Sequence, residues 1–230
     1  MTWLLRRSAA VLAITVALAA PASAVRAWGS TGHRIIGRLG VAALPDNLPR
    51  FLRSEEAIEA IGELAREPDR WRGAGKAHDN FRDGAHFVDV DDDGKVLGGP
   101  ALSALPATRT DYEAALRAVG AESAHAGWLP YSIIDGWQQL AKDFTYWRVL
   151  TATIPREADP RRKAWLKADL KRREALTVHD LGVWAHYVGD ASQPLHVSVH
   201  YNGWGDFPTR TAILRNGCMR PSRVPSCASG

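Results

Sequence analysis

The chain has 230 residues, 46% of them hydrophobic, and a formal net charge of +4, enough apolar material for one sizeable globular domain. Seven arginines dominate that charge, Arg6, Arg7 and Arg26 near the start and Arg210, Arg215, Arg220 and Arg223 in the last 22 residues, and neither segment contains an acid. Without them residues 28–208 stand at −3, which excludes nucleic-acid binding by bulk phosphate neutralisation.

Residues 1–27 read as a secretory signal peptide. Arg6 and Arg7 open it, Ala9 to Ala20 form an apolar run, and small residues follow Pro21. The run is too short and wrongly flanked for a spanning helix. Cleavage after Ala24 or after Ala27 both satisfy the small-residue rule, and either places the mature protein in the periplasm or outside the cell. The two cysteines, Cys218 and Cys227, lie in the terminal segment. They read as a periplasmic disulfide or, preferably, as incidental residues of a disordered end. Thiolate metal sites and a Cys nucleophile are excluded from residues 28–217.

The mature protein opens on Trp28-Gly-Ser-Thr-Gly-His33. Ile35, Ile36, Leu39 and Ala42/Ala43 then mark a helical stripe ended by Pro45. Two shorter helices are predicted at about 47–53 and 55–66. From Glu67 to Thr110 turn formers dominate, predicting a long irregular region that metal coordination could tie down. Asp111 is read as the cap of a short helix running to Val119. Ile133, Ile134, Trp137, Leu140, Phe144 and Trp147 predict an amphipathic helix to about Leu150. Asp159-Pro160 is an N-cap followed by an N1 proline, opening a long helix through Trp165, Leu166, Leu170, Leu176, Leu181, Trp184 and Val188 to Asp190. Its first half, Arg161 to Glu174, is densely charged and reads as a solvated face. No alternating strand run, repeat or linker is present, so the fold class is all-α in a single domain.

Candidate chemistry centres on His186-Tyr-Val-Gly-Asp190-Ala-Ser-Gln-Pro-Leu-His196. His186 and Asp190, four apart, project from one helix face. Pro194 stops the helix, so His196 can turn back toward the same pocket. Upstream stand His33, Asp69 after Pro68, and His86 in His86-Phe-Val-Asp89. One His–Asp pair alone would read as a core histidine and a helix end. Six such groups are ligands enough for more than one metal ion. His78, His125, His179 and His200 have no comparable setting and read as surface or core. Asp89, Asp91, Asp93 and Gly94 match part of a calcium loop, but position 12 would be Pro100, so a solvated acidic turn is expected. Phe81 or Trp71 could stack a base, with core packing the preferred role for both.

Trp-Gly-x-x-Gly-His, His-Phe-Val-Asp and His-Tyr-Val-Gly-Asp-x-x-Gln-Pro-Leu-His together resemble the zinc-dependent single-strand nuclease and 3′-nucleotidase family of the S-one/P-one type, related to zinc phospholipase C. The resemblance runs from Trp28 to about Pro208. It implies an all-helical fold around three zinc ions, with Trp28 and His33 on one. Asp69, His86 and His186 would hold a second, Asp190 would bridge the two, and His196 would be a ligand of the third. Asp69 and Asp190 would be the catalytic carboxylates, and metal-activated hydroxide would attack phosphorus in single-stranded nucleic acid or 3′-nucleotides. If Trp28 ligates through its α-amine, processing must occur after Ala27. The family's two further ligands for the third ion, a His and an Asp four apart, are missing. After Pro208 the chain reads like a frameshifted or truncated end, with His200 and Asp206 poor substitutes. About two firmly bound zinc ions and weak turnover are therefore expected. The expected protein is a monomer with no stable membrane anchor. A zinc phospholipase C and a non-catalytic zinc-binding remnant are the alternatives.

Overall fold

The computed structural model describes residues 29–45 and 47–201. The leader, Trp28, Asp206, both cysteines and the 209–230 tail lie outside the described residues. The helices are α1 (Ser30–Ala42), α2 (Glu55–Leu64), α3 (Glu67–Arg70), α4 (Lys76–Asp79), α5 (Arg109–Ala118), α6 (Ser123–Ala126), α7 (Leu129–Thr153) and α8 (Pro160–Ala191). The fold is all-α, with only isolated bridges such as Val90↔Val96 among the described residues. No described helix is long and apolar enough to cross a membrane.

Local chemistry sets the helix ends. Ser54 accepts from Ala57 N at 3.1 Å at the start of α2, and Glu55 and Glu56 suit the positive end of its dipole. The Asp159 carboxylate accepts from Arg161 N and Arg162 N, and Pro160 follows at N1. At α5 the cap is Thr108, whose hydroxyl oxygen accepts from Asp111 N. The expected Asp111 cap is thus corrected; its carboxylate instead accepts from the Thr108 hydroxyl at 2.7 Å. The region from Glu67 to Thr110 is less irregular than expected. Two short helices, 3-10 turns at Asp83–His86 and Leu102–Ala104, and the bridges give its backbone groups partners.

Helices α7 and α8 form an antiparallel hairpin. Trp184 donates to Ile133 O, Gln139 to Asp180, and Trp147 to Glu174. These pairs run in opposite order along the two helices. A Cβ at Gly136 would lie 2.5 Å from Trp184 Cδ1, so that glycine lets α8 close on α7. One core, with Val41, Leu52, Ile61, Leu140 and Leu181, joins α1, α2 and the hairpin. A second, with Val88, Val96, Tyr112, Leu116 and Trp128, sits under the 84–128 region. Trp184 packs on the first core and Tyr187 on the second, so α8 carries His186 between them. Several expected stripe residues are exposed instead, including Ile134, Trp137, Trp165, Leu176 and Val188. Neighbours in sequence point about 100° apart on a helix, so one partner covers only part of such a wide stripe.

A pair of acids, one buried and one partly exposed, joins the hairpin. Asp143 is completely buried, and Gln139 Nε2 lies 3.4 Å from both its oxygens and 3.1 Å from Asp180 Oδ2. On the far side His179 Nδ1 is 2.7 Å from Asp180 Oδ1. Burial, then the Asp180 carboxylate, push the Asp143 carboxyl up to about 6. A carboxyl raised in the folded state stabilises fully below its unfolded value, near 3.9, and that stability is lost as pH rises through about 6. Asp143→Asn should therefore gain ~2 kcal/mol at pH 7.5, about 6 °C in melting temperature, and nothing at pH 4. Melting curves of both proteins across pH 4–8 check this; parallel curves would contradict it.

Candidate metal centre

Close backbone contact places the central histidine. A Cβ at Gly182 would lie 2.6 Å from Leu64 Cβ and 3.0 Å from Ile61 O, so α8 meets α2 without an intervening side chain. One turn later His186 Nδ1–H donates to Ala65 O at 2.8 Å. That bond turns Nε2 inward, as an outer partner does for a metal-ligating imidazole. His86 arrives from the 3-10 turn Asp83–His86. His33 arrives from α1, its ring stacked on His186 at 3.8 Å between centroids. Val88 N donates to His196 O at 2.9 Å, holding the Pro194–His196 turn beside His86.

Asp190 is the hub. Its Oδ2 lies 3.1 Å from His86 Nδ1 and 3.1 Å from His186 Nε2. Its Oδ1 lies 3.5 Å from His33 Nε2 and 3.5 Å from His196 Nε2. Each carboxylate oxygen therefore serves a different pair of imidazoles. Asp69, on α3, places Oδ2 3.9 Å from His33 Nε2. Its Oδ1 is 3.4 Å from Arg72 Nη1, and Arg72 Nε donates to Asp83 at 2.7 Å. His33, His86, His186 and Asp190 are all buried, whereas the Asp69 side chain is 38% exposed. The cluster thus opens to solvent at Asp69.

The protonation states of Asp190, His33 and His86 suit ligation. Burial works against an ionised Asp190, but hydrogen bonds from His186 and His86 outweigh it and hold the carboxyl well below the usual range. Burial first, then the adjacent His186, lower His33 to about 4, so its ring is neutral at pH 7. Burial also lowers His86. Of His33, His86 and His186, only the last is raised, because the Asp190 hydrogen bond and charge exceed the cost of burial. Tyr187, whose ring packs 5.5 Å from His86 and 5.4 Å from His186, is pushed up to about 12 by burial and then by Asp190. It is a neutral wall.

The donors fit a metal ion. His33, Asp69 and His186, and likewise His86, His186 and Asp190, have ligand atoms within 4.8 Å of one another. His186 has only Nε2 to offer, since Nδ1 is engaged by Ala65, so the two groups share rather than duplicate it. His33 Nδ1 is buried without a hydrogen-bond partner among the described residues. Such a concentration of buried imidazole around one carboxylate is costly in a core unless a cation occupies it. No family model, curated protein or solved structure matches the chain. The site rests on its geometry.

Six of the seven candidate ligands are described, and all six converge. Trp28 lies outside the described residues. His78 pairs with Arg82, His125 is highly exposed beside Glu122, and His179 sits on Asp180. His200 Nε2 lies 2.8 Å from Asp92 Oδ1, away from the cluster. Phe81, expected in the core, is 78% exposed because it follows α4 on an open loop. In the acidic turn Asp91 accepts from Gly98 N and Asp93 from Lys95, while Asp89 is buried. Sequence reading missed Ala65 O, Asp83 and the Tyr187 wall. Only Arg72, one helical turn after Asp69, had a legible signal.

Proposed function

We propose that the chain is a zinc-dependent phosphoesterase acting on single-stranded nucleic acid and 3′-nucleotides, secreted or periplasmic. The observation that carries the reading is Asp190, with one oxygen toward His86 and His186 and the other toward His33 and His196. That is the arrangement a carboxylate needs to serve two ions at once. Zinc suits a set of imidazoles and carboxylates without thiolate. Ligand atoms around tetrahedral zinc lie roughly 3.3 Å apart, and the contacts to Asp190 span 3.1–3.5 Å.

When bound, the ions would supply Lewis acidity, activating water near neutral pH and neutralising phosphate charge. The chain's own groups do the rest. His186, oriented by Ala65 O, and His86 present lone pairs from a dry interior. Asp69 stands at the open rim with Oδ2 toward the cluster, where it can take a proton from an attacking water. Arg72, anchored on Asp83, fixes the direction of that carboxylate.

The test is a single-turnover assay of zinc-loaded protein on a single-stranded DNA oligomer, a 3′-nucleotide and phosphatidylcholine. Cleavage of the first two is expected. Asp69→Asn should lower the rate about 10²-fold or more and, because Asp69 is also one of the candidate ligands, weaken metal binding in part. Hydrolysis of the phospholipid alone would favour a phospholipase, and zinc binding without turnover on any substrate would favour a non-catalytic binder.

A further inference from the structure

Beyond the metal cluster, a cleft of about 560 Å³ runs between α7 and α8 and is lined by Trp71, Asp135, Gln138, Gln139, Lys142 and Tyr187, among others. Nothing in the ligand set uses it. Its volume lies in the range of small-molecule sites. Tyr187 forms a wall common to both places, since the same side chain lines the cleft and packs on His86 and His186. Anything seated there adjoins the metal centre.

The chemistry of the lining is graded along its length. At one end stands Trp71, two residues beyond Asp69, with the Arg82 guanidinium 5.7 Å from its ring centroid. Aromatic rings interleaved with guanidinium groups are the usual stacking platform for unpaired bases. Asp135 and Gln138 follow on the exposed side of α7. At the other end Lys142 spends one of its three N–H donors on Gln139 Oε1 at 2.6 Å, which fixes its position and leaves two donors. The Gln139 amide N–H is committed to Asp180 and Asp143, so this residue anchors Lys142 and does not itself read a ligand. Ten residues of helix separate Ser132 from Lys142, about 15 Å, the scale of a nucleotide with its neighbouring phosphate.

We propose that this cleft is a nucleotide subsite adjoining the metal centre, with a base stacked on Trp71, its edge read by Asp135 and Gln138, and a phosphate held by Lys142. The choice of a nucleotide rests on the phosphoesterase reading; the cleft itself does not. Orientation follows from charge, because Asp135 repels phosphate and leaves Lys142 as its partner. A carboxylate can only accept, so Asp135 favours a base with an exocyclic amine over thymine and uracil, whose single N3–H lies between two carbonyl oxygens that repel it.

Zinc-loaded protein is titrated against fluorescein-labelled, nuclease-resistant phosphorothioate octamers of deoxycytidine and thymidine, followed by anisotropy at several salt concentrations. The deoxycytidine octamer should bind several-fold tighter, and Asp135→Ala should erase that preference. Lys142→Gln should weaken both octamers alike and reduce the salt slope by about one. Trp71→Leu should weaken both about tenfold. Asp135 and Lys142 are exposed, so their variants keep fold and zinc content, which metal analysis verifies. Equal binding of the two octamers with wild-type affinity in the Asp135 and Lys142 variants would overturn the assignment, as would failure of the deoxycytidine octamer to bind. Cleavage of ordinary phosphodiester octamers is scored separately. Variant-sensitive binding without cleavage keeps the cleft and removes the phosphoesterase reading, and cleavage with variant-insensitive binding does the reverse.

Discussion

Asp190→Asn should strip the chain of bound metal. Asparagine keeps the shape but offers one carbonyl oxygen and one NH₂ group. Whichever way the amide turns, one of the two imidazole pairs now faces N–H donors where it had an acceptor. His86 and His186 at 3.1 Å, or His33 and His196 at 3.5 Å, then have no shared anion. Asp190 itself is buried, so bulk water does not replace the lost carboxylate oxygen at that point. Metal content should fall from about two ions per chain toward none, and the metal-free protein should lose a further ~3 kcal/mol from the broken buried pairs. For a domain of this size that is about 10 °C in melting temperature. His186→Ala should behave similarly, while the highly exposed His125 can be replaced by alanine without effect on metal or melting. Elemental analysis with thermal melts decides it. Full metal content in the Asp190 variant would show that the ions sit elsewhere.

Chelation should destabilise the wild-type protein reversibly. His33, His86, His186 and Asp190 come from α1, the 83–86 turn and α8, so an ion that binds them also holds those segments together. At a free concentration 1,000 times its dissociation constant, each ion adds about 4 kcal/mol. Removing the metal should lower melting by 10 °C or more, and zinc should restore it. Magnesium should not, because it prefers oxygen ligands and the cluster is mostly imidazole. Proton competition sets the pH dependence. Asp190 draws His186 toward its charged form, so metal affinity should begin to fall at a pH above the ordinary imidazole value near 6.5. A melting temperature indifferent to chelator at pH 7.5 would contradict the metal-centre reading.

Much of this was legible in local chemistry. Asp159, Pro160 and Pro194 act within a single turn, so the limits of α8 could be read from residues adjacent to them. His186 and Asp190 share a face because helical periodicity requires it, whatever α8 packs against. The convergence of distant histidines could be expected on chemistry alone, since unpaired imidazoles and carboxylates are costly to bury unless they serve each other or a cation.

Local signals were weaker where two residue types could serve the same role. Thr108 and Asp111 are both good caps, and only the backbone geometry shows that the threonine hydroxyl receives the amide hydrogen. Phe81 is apolar enough for a core, but among the described residues no element covers it.

Composition and short-range pattern determined an all-α chain with His33 and His186 on their helices. Which atoms face one another was decided by the tertiary structure. The bond from His186 to Ala65 O joins groups 121 residues apart and exists because Gly182 lets two helices touch. The division of Asp190 between two imidazole pairs, the Asp143–Asp180 pair and the Trp71–Lys142 cleft arise in the same way, between segments that have no periodic relation along the chain. A hydrogen bond or a ligand contact depends on ångström-scale separation in space, and sequence spacing carries that information only within a few turns of one helix.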